Sequence, residues 1–153
     1  MGGEFFDRLA KKSKDRILYT EKEAAKIFKQ ILQAVNYLHA HGVCHRDIKP
    51  ENILFSTVEE NSSIKLIDFG LSTLLLKDSP NLKNTAGTLF YMAPEVIMGN
   101  YNKKCDIWSC GVILFIMLTG VPPFFSKTEK ILKERICSMK YNSDHPNLNR
   151  VSD

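Results

Sequence analysis

At 153 residues with 44% hydrophobic content, the chain is one domain or part of one and can build a real core. Its net charge of +4 is mild and its lysines are scattered among acids and apolar residues, a pattern that argues against a nucleic-acid surface. The longest unbroken apolar run, Val112 to Leu118, falls far short of the ~20 residues that span a bilayer, so no membrane role is expected.

The chain opens with a helical repeat at Phe5, Phe6 and Leu9. Thr20 with Glu23 three residues on forms a capping box. From there Ala24, Ile27, Ile31, Leu32, Val35 and Leu38 recur at three- and four-residue steps, predicting a long amphipathic helix that Gly42 stops. That helix is a post for Val43-Cys44 and then His45-Arg46-Asp47-Ile48-Lys49-Pro50-Glu51-Asn52. A β-hairpin is predicted from Ile53-Leu54-Phe55 to Ile64-Lys65-Leu66-Ile67, delivering Asp68-Phe69-Gly70. Leu71 to Ala86, with Ser79 and Pro80 inside it, reads as loop.

Gly87-Thr88-Leu89-Phe90-Tyr91-Met92-Ala93-Pro94-Glu95 follows, and then Asp106-Ile107-Trp108-Ser109-Cys110-Gly111. The latter runs into Val112 to Leu118, apolar on every side and therefore predicted as a buried helix that Pro122-Pro123 ends. Lys127 to Met139 reads as a shorter amphipathic helix on Ile131, Leu132 and Ile136, and Asn142 to Asn147 as loop. Cys44, Cys105, Cys110 and Cys137 show neither C-x-x-C pairing nor a zinc spacing; reduced, buried thiols in a cytoplasmic or nuclear protein are expected.

Asp47, Asn52 and Asp68 are two carboxylates and one amide that the hairpin draws together, a donor set for a hard cation and its phosphate ligands. The spacing His45-Arg46-Asp47 to Asn52, followed by Asp68-Phe69-Gly70, matches H-R-D-x-x-x-x-N and D-F-G. With Gly87 to Glu95 matching G-T-x-x-Y-x-A-P-E, the chain resembles a eukaryotic protein kinase. Lys49 and Thr88 make that a serine/threonine resemblance, and more narrowly it looks like the calcium- and calmodulin-regulated branch, including calcium-dependent protein kinases.

The resemblance implies a fold and a chemistry. Residues 1–153 would form a mainly α large (C-terminal) lobe with a small β-hairpin beside the catalytic loop. ATP and Mg²⁺ would be the cofactors, with Asp47 as catalytic base and Lys49 neutralising the transferring phosphate. Asn52 and Asp68 would hold the metal, and Leu54 would lie beneath the adenine. Glu4 would touch the ribose and, with Glu51, contact arginines upstream of the target hydroxyl; Thr88 would reach Asp47 and Lys49. The implied partners are protein substrates with Arg three residues before Ser/Thr, and a calcium-sensing module lying outside this chain.

Arg46, Ser79 and Thr85 are the implied regulatory residues, Arg46 by pairing with a phosphate or acid in the loop after Gly70. His45 and Phe69 would pack the loop onto the core, and Glu95 would want an arginine, for which Arg135 and Arg150 are the candidates on the chain. No G-x-G-x-x-G and no Val-Ala-Ile-Lys-type strand occurs in the sequence. The small lobe is therefore expected to be absent and the isolated chain inactive. The alternative is a non-catalytic truncated docking or decoy module.

Overall fold

Thr20 fixes where the longest helix begins. In the computed structural model, which describes residues 2–15, 17–59, 61–75, 81–141 and 143–152, its hydroxyl accepts from the Glu23 amide at 3.2 Å while the Glu23 carboxylate accepts from the Thr20 amide at 2.7 Å. Helix α2 (Glu21–Ala40) follows, after α1 (Phe5–Lys14). The buried stripe of α2, Ala24, Ile27, Ile31 and Val35, packs against α4 (Cys105–Thr119). Ile113 and Met117 of α4, Phe5 of α1, Ile48 and Ile53 complete the main core.

Gly42, at φ +72°, turns the chain out of α2 into β1 (Val43–Cys44). A single 3-10 turn, Pro50–Asn52, leads into β2 (Ile53–Phe55), which pairs antiparallel with β3 (Ile64–Leu66), Ile53 facing Leu66 and Phe55 facing Ile64. The Ile67 amide extends the ladder by donating to the Asn52 carbonyl at 3.0 Å. The predicted hairpin and the mainly α class both hold.

The remaining elements are smaller. Strand β4 (Thr73–Leu74) pairs antiparallel with β1, and Leu82 bridges Tyr101, so the stretch expected to be all loop is pinned to the body twice. Pairings this short leave no period-2 signal in sequence. Short helix α3 (Pro94–Ile97) packs with α5 (Glu129–Cys137), and Trp108 stacks on Phe124 with centroids 5.8 Å apart. Helix α4 ends on Gly120, left-handed at φ +80°, before the prolines expected to stop it: the glycine offers a C-cap first. Pro146–Arg150, expected to be partly loop, winds into a 3-10 turn.

Val112 to Leu118 are buried or half-buried as expected, while Ile107, earlier in α4, is exposed. Cys44, Cys105 and Cys110 are buried free thiols as expected, but Cys137 is exposed at the end of α5. Among the described residues no helix is long and apolar enough to cross a membrane.

Candidate active site

Asp106, the one acid in the first turn of α4, is 1% exposed and holds the start of the central loop. One carboxylate oxygen accepts from His39 Nε2 at 2.8 Å and from the His45 amide at 2.9 Å. The other accepts from the Arg46 amide at 2.8 Å. Burial pushes this carboxyl's pKa up, and the hydrogen bonds from His39, His45 and Arg46 outweigh it, so the group sits below the ordinary aspartate value. Arg46 is at φ +69°, a left-handed conformation costing a non-glycine residue on the order of 1–3 kcal/mol. The clamp on its amide holds it there.

That turn aims Asp47. Its amide donates to His45 Nδ1 at 3.3 Å, so His45 carries its proton on Nε2 and donates it to the Ile67 carbonyl at 3.2 Å. His45 is fully buried, as expected of a packing residue. Phe69 lies against it at 5.1 Å but is 48% exposed, so the ring does not sit in the core as expected.

The Asp47 carboxylate is buried and fully engaged. Oδ1 accepts from the Thr88 amide at 3.0 Å and hydroxyl at 2.8 Å; Oδ2 accepts from Lys49 Nζ at 2.9 Å and Asn52 Nδ2 at 3.3 Å. Lys49 Nζ also donates to Thr88 Oγ1 at 3.0 Å, and Asn52 Nδ2 to the Asp47 carbonyl at 2.9 Å. The extended backbone at Lys49 puts its side chain on the same face as Asp47. Burial again raises the Asp47 pKa, and the bonds from Lys49 and Thr88 bring it net below the ordinary value. The group is ionised at neutral pH and able to accept a proton only from a partner made unusually acidic in the transition state.

Gly87, at φ +110°, permits this closure, because a side chain there would overlap the Arg46 carbonyl.

Asp68 follows the last rung of the hairpin ladder, itself left-handed at φ +60°. It is exposed, and Oδ1 accepts from the Gly70 amide at 3.1 Å. The Asn52 amide nitrogen faces Asp47, which leaves its carbonyl oxygen for another ligand. The Asn52 side-chain carbonyl oxygen and Asp68 Oδ2 accept no hydrogen bond among the described residues, and one neutral and one anionic oxygen are the donor types that Mg²⁺ takes. The residues fit the implied metal.

The other expected site residues fall as follows. Glu51 has its Oε2 buried with no partner among the described residues, close enough to Tyr91 that its charge adds to burial in raising that phenol's pKa. Glu4 is exposed and its backbone bridges Leu54, which is half-buried. Thr85 is exposed, its hydroxyl donating to the Val96 carbonyl at 3.4 Å, and Ser79 lies outside the described residues. Arg46, expected to meet an acid or phosphate, donates instead to the Leu71 carbonyl at 2.6 Å and the Tyr101 hydroxyl at 3.3 Å. Tyr101 passes the link on to the Asn84 carbonyl at 2.6 Å. Glu95 is half-buried, and among the described residues neither Arg135 nor Arg150 pairs with it.

Sequence reading named no role for Asp106, His39, Gly87 or Tyr101. Asp106 carried one partial signal: an acid opening a largely apolar helix has to be either exposed or paired, and sequence does not decide which, because the neighbouring Ile107 is exposed.

A helical body carrying a catalytic loop, an adjacent hairpin ending in Asp-Phe-Gly and a glycine-threonine clamp defines the large lobe of a protein kinase. The family model described as protein kinase domain matches residues 1–153, and the chain belongs to that family. It is 46% identical over 153 residues to calcium-dependent protein kinase 4 of Plasmodium falciparum (isolate 3D7), covering 99% of this chain and 28% of the relative. It is 45% identical to calcium-dependent protein kinase 4 of Plasmodium berghei (strain Anka), again over 99% of this chain and 28% of the relative. Against calcium-dependent protein kinase 29 of Arabidopsis thaliana it is 49% identical over 139 residues, 91% of this chain and 25% of the relative. The chain thus spans about a quarter of the length of the curated relatives it matches.

Proposed function

We propose that this lobe, joined to the glycine-rich loop and lysine strand that a kinase places over ATP, transfers the γ-phosphoryl group to Ser or Thr of protein substrates. The carrying observation is the Asp47 carboxylate held by Lys49, Thr88 and Asn52. In this reading Asp47 orients the substrate hydroxyl and takes its proton, while Lys49 shifts from Asp47 toward the transferring phosphate. Asn52 and Asp68 hold Mg²⁺, which supplies neutralisation of the phosphate charge.

Glu51 supports a preference for Arg three residues before the target: its Oε2 has no partner among the described residues, and the carboxylate turned outward would pair with a guanidinium. Glu4 takes the ribose or, with Glu51, the upstream arginine. The name of the relatives supports calcium control through a module outside these residues, while the cytoplasm or nucleus as the compartment rests on cysteines that show no disulfide or zinc spacing. Residues 1–153 alone, which contain no G-x-G-x-x-G, bind no ATP detectable by titration calorimetry and act, if at all, as a docking module.

The test is phosphotransfer from γ-labelled ATP to a Ser peptide with Arg three residues upstream, by the full-length protein. Asp47→Asn should lower kcat by about 10²–10⁴ with little change in KM. Unchanged kcat refutes the assignment, and a library preference for acid or proline at that upstream position refutes the role of Glu51.

A further inference from the structure

One face of the molecule, between α1 and the N-terminal half of α2, takes no part in the chemistry above. It holds a cavity of about 540 Å³ around which, among the described residues, cationic side chains outnumber acidic ones five to two. Lys11 at the end of α1 and Lys26 and Lys29 on α2 are exposed there. Lys12 lies over the Tyr19 ring at 4.5 Å, and Arg8 lies over the Phe55 ring at 3.7 Å while donating to the Thr57 carbonyl at 2.9 Å. These two cations are held in place rather than waving in solvent.

The acids do not cancel the charge. Glu23 is committed to the Thr20 cap and to Lys12 at 3.6 Å. That leaves Asp15 against Arg8, Lys11, Lys26 and Lys29. The lining is also apolar beneath the charges: Ile27 and Tyr19 are buried at its base, and Ile17 is 56% exposed at its edge.

We propose that this groove docks an acidic, apolar-containing segment of a partner protein, whose carboxylates meet Lys11, Lys26 and Lys29 while one apolar side chain covers Ile17. A free phosphate would answer the lysines and leave Ile17 wet. A flat anionic surface, membrane or duplex, cannot fill a concavity with an apolar base. A peptide answers both halves of the lining, the electrostatic part setting specificity and approach rate and the apolar part holding the contact. This reading is independent of the kinase assignment.

The test uses the 153-residue chain and a short fluorescein-labelled peptide of alternating glutamate and leucine, read by anisotropy at low salt. Wild type should bind it, with Kd rising as salt is added. The triple reversal Lys11→Glu/Lys26→Glu/Lys29→Glu should weaken binding about tenfold or more, as expected when three exposed attractions become repulsions. Lys130→Glu/Lys133→Glu on exposed positions of α5 should bind as wild type does. Circular dichroism checks folding; if the triple variant is unfolded, Lys26→Gln/Lys29→Gln carries the comparison, with about a threefold loss expected. No binding by wild type, or equal binding by the reversed variant, overturns the proposal. So does equal affinity for a glutamine-leucine peptide, or displacement of the peptide by anionic vesicles or duplex DNA at lower concentration than by unlabelled peptide.

Discussion

Replacing Asp106 by Asn removes a charge without changing shape, and the consequences can be worked bond by bond. The native carboxylate accepts three hydrogen bonds, from His39 Nε2, the His45 amide and the Arg46 amide. An amide offers one acceptor oxygen. Placed to serve His39 and His45, it turns its NH₂ toward the Arg46 N–H, donor against donor. One charge-assisted bond, worth about 1.5–3 kcal/mol, is lost and the other two fall to neutral strength, at about 1 kcal/mol each. Relief of burying an ion offsets part of this, so a net loss of roughly 2–4 kcal/mol is expected. At about 2–4 °C per kcal/mol for a chain of this length, Tm should drop by roughly 4–16 °C, read by circular dichroism at neutral pH.

The same melts across pH carry the sign. The folded Asp106 pKa is depressed, so its contribution is present in full above the unfolded value near ~4 and is lost as pH falls through the folded pKa. The gap between wild type and Asp106→Asn should therefore close on acidification below that value. A drop in Tm under about 1 °C, or a gap that widens with acid, would refute the clamp.

Gly87→Ala should push the chain off the Arg46 carbonyl and open the clamp on Asp47; amide hydrogen exchange at Thr88 should accelerate about tenfold or more. Thr88→Val removes the hydroxyl that donates to Asp47 and receives Lys49, at a cost of about 1–2 kcal/mol. Because Thr88 holds the Asp47 pKa down, that variant should raise it, a shift that carboxyl-carbon NMR titration follows. Thr20→Ala, breaking the capping box, should cost about 1 kcal/mol of stability by thermal melt.

Much of this was legible in the residues. Thr20 with Glu23, the spacing of Ile27, Ile31 and Val35, and the hairpin from Ile53 to Leu66 are local patterns whose geometry follows from neighbours in sequence. The convergence of Asp47, Lys49 and Asn52 was legible for the same reason: a turn and a few extended residues connect them. What was hidden depends on long-range pairing. The His39–Asp106 contact joins residues 67 apart and no periodicity marks it, whereas the Thr88–Asp47 contact, 41 residues apart, was expected only through the family resemblance. Arg46 donates to the Leu71 carbonyl and the Tyr101 hydroxyl, contacts that sequence spacing does not mark, since a guanidinium donates to any well-placed oxygen.

The account rests on the oxygens of Asn52 and Asp68 forming one cation site beside Asp47. Mn²⁺ titrated into the isotopically labelled chain at substoichiometric levels tests it most directly, through paramagnetic broadening of backbone amide signals. The expected result is that the amides of Asp47, Asn52 and Asp68 to Gly70 broaden first, and that Asp68→Ala abolishes the effect. Broadening centred elsewhere, such as the buried Cys44, Cys105 and Asp106 group, or broadening indifferent to Asp68→Ala, would contradict it.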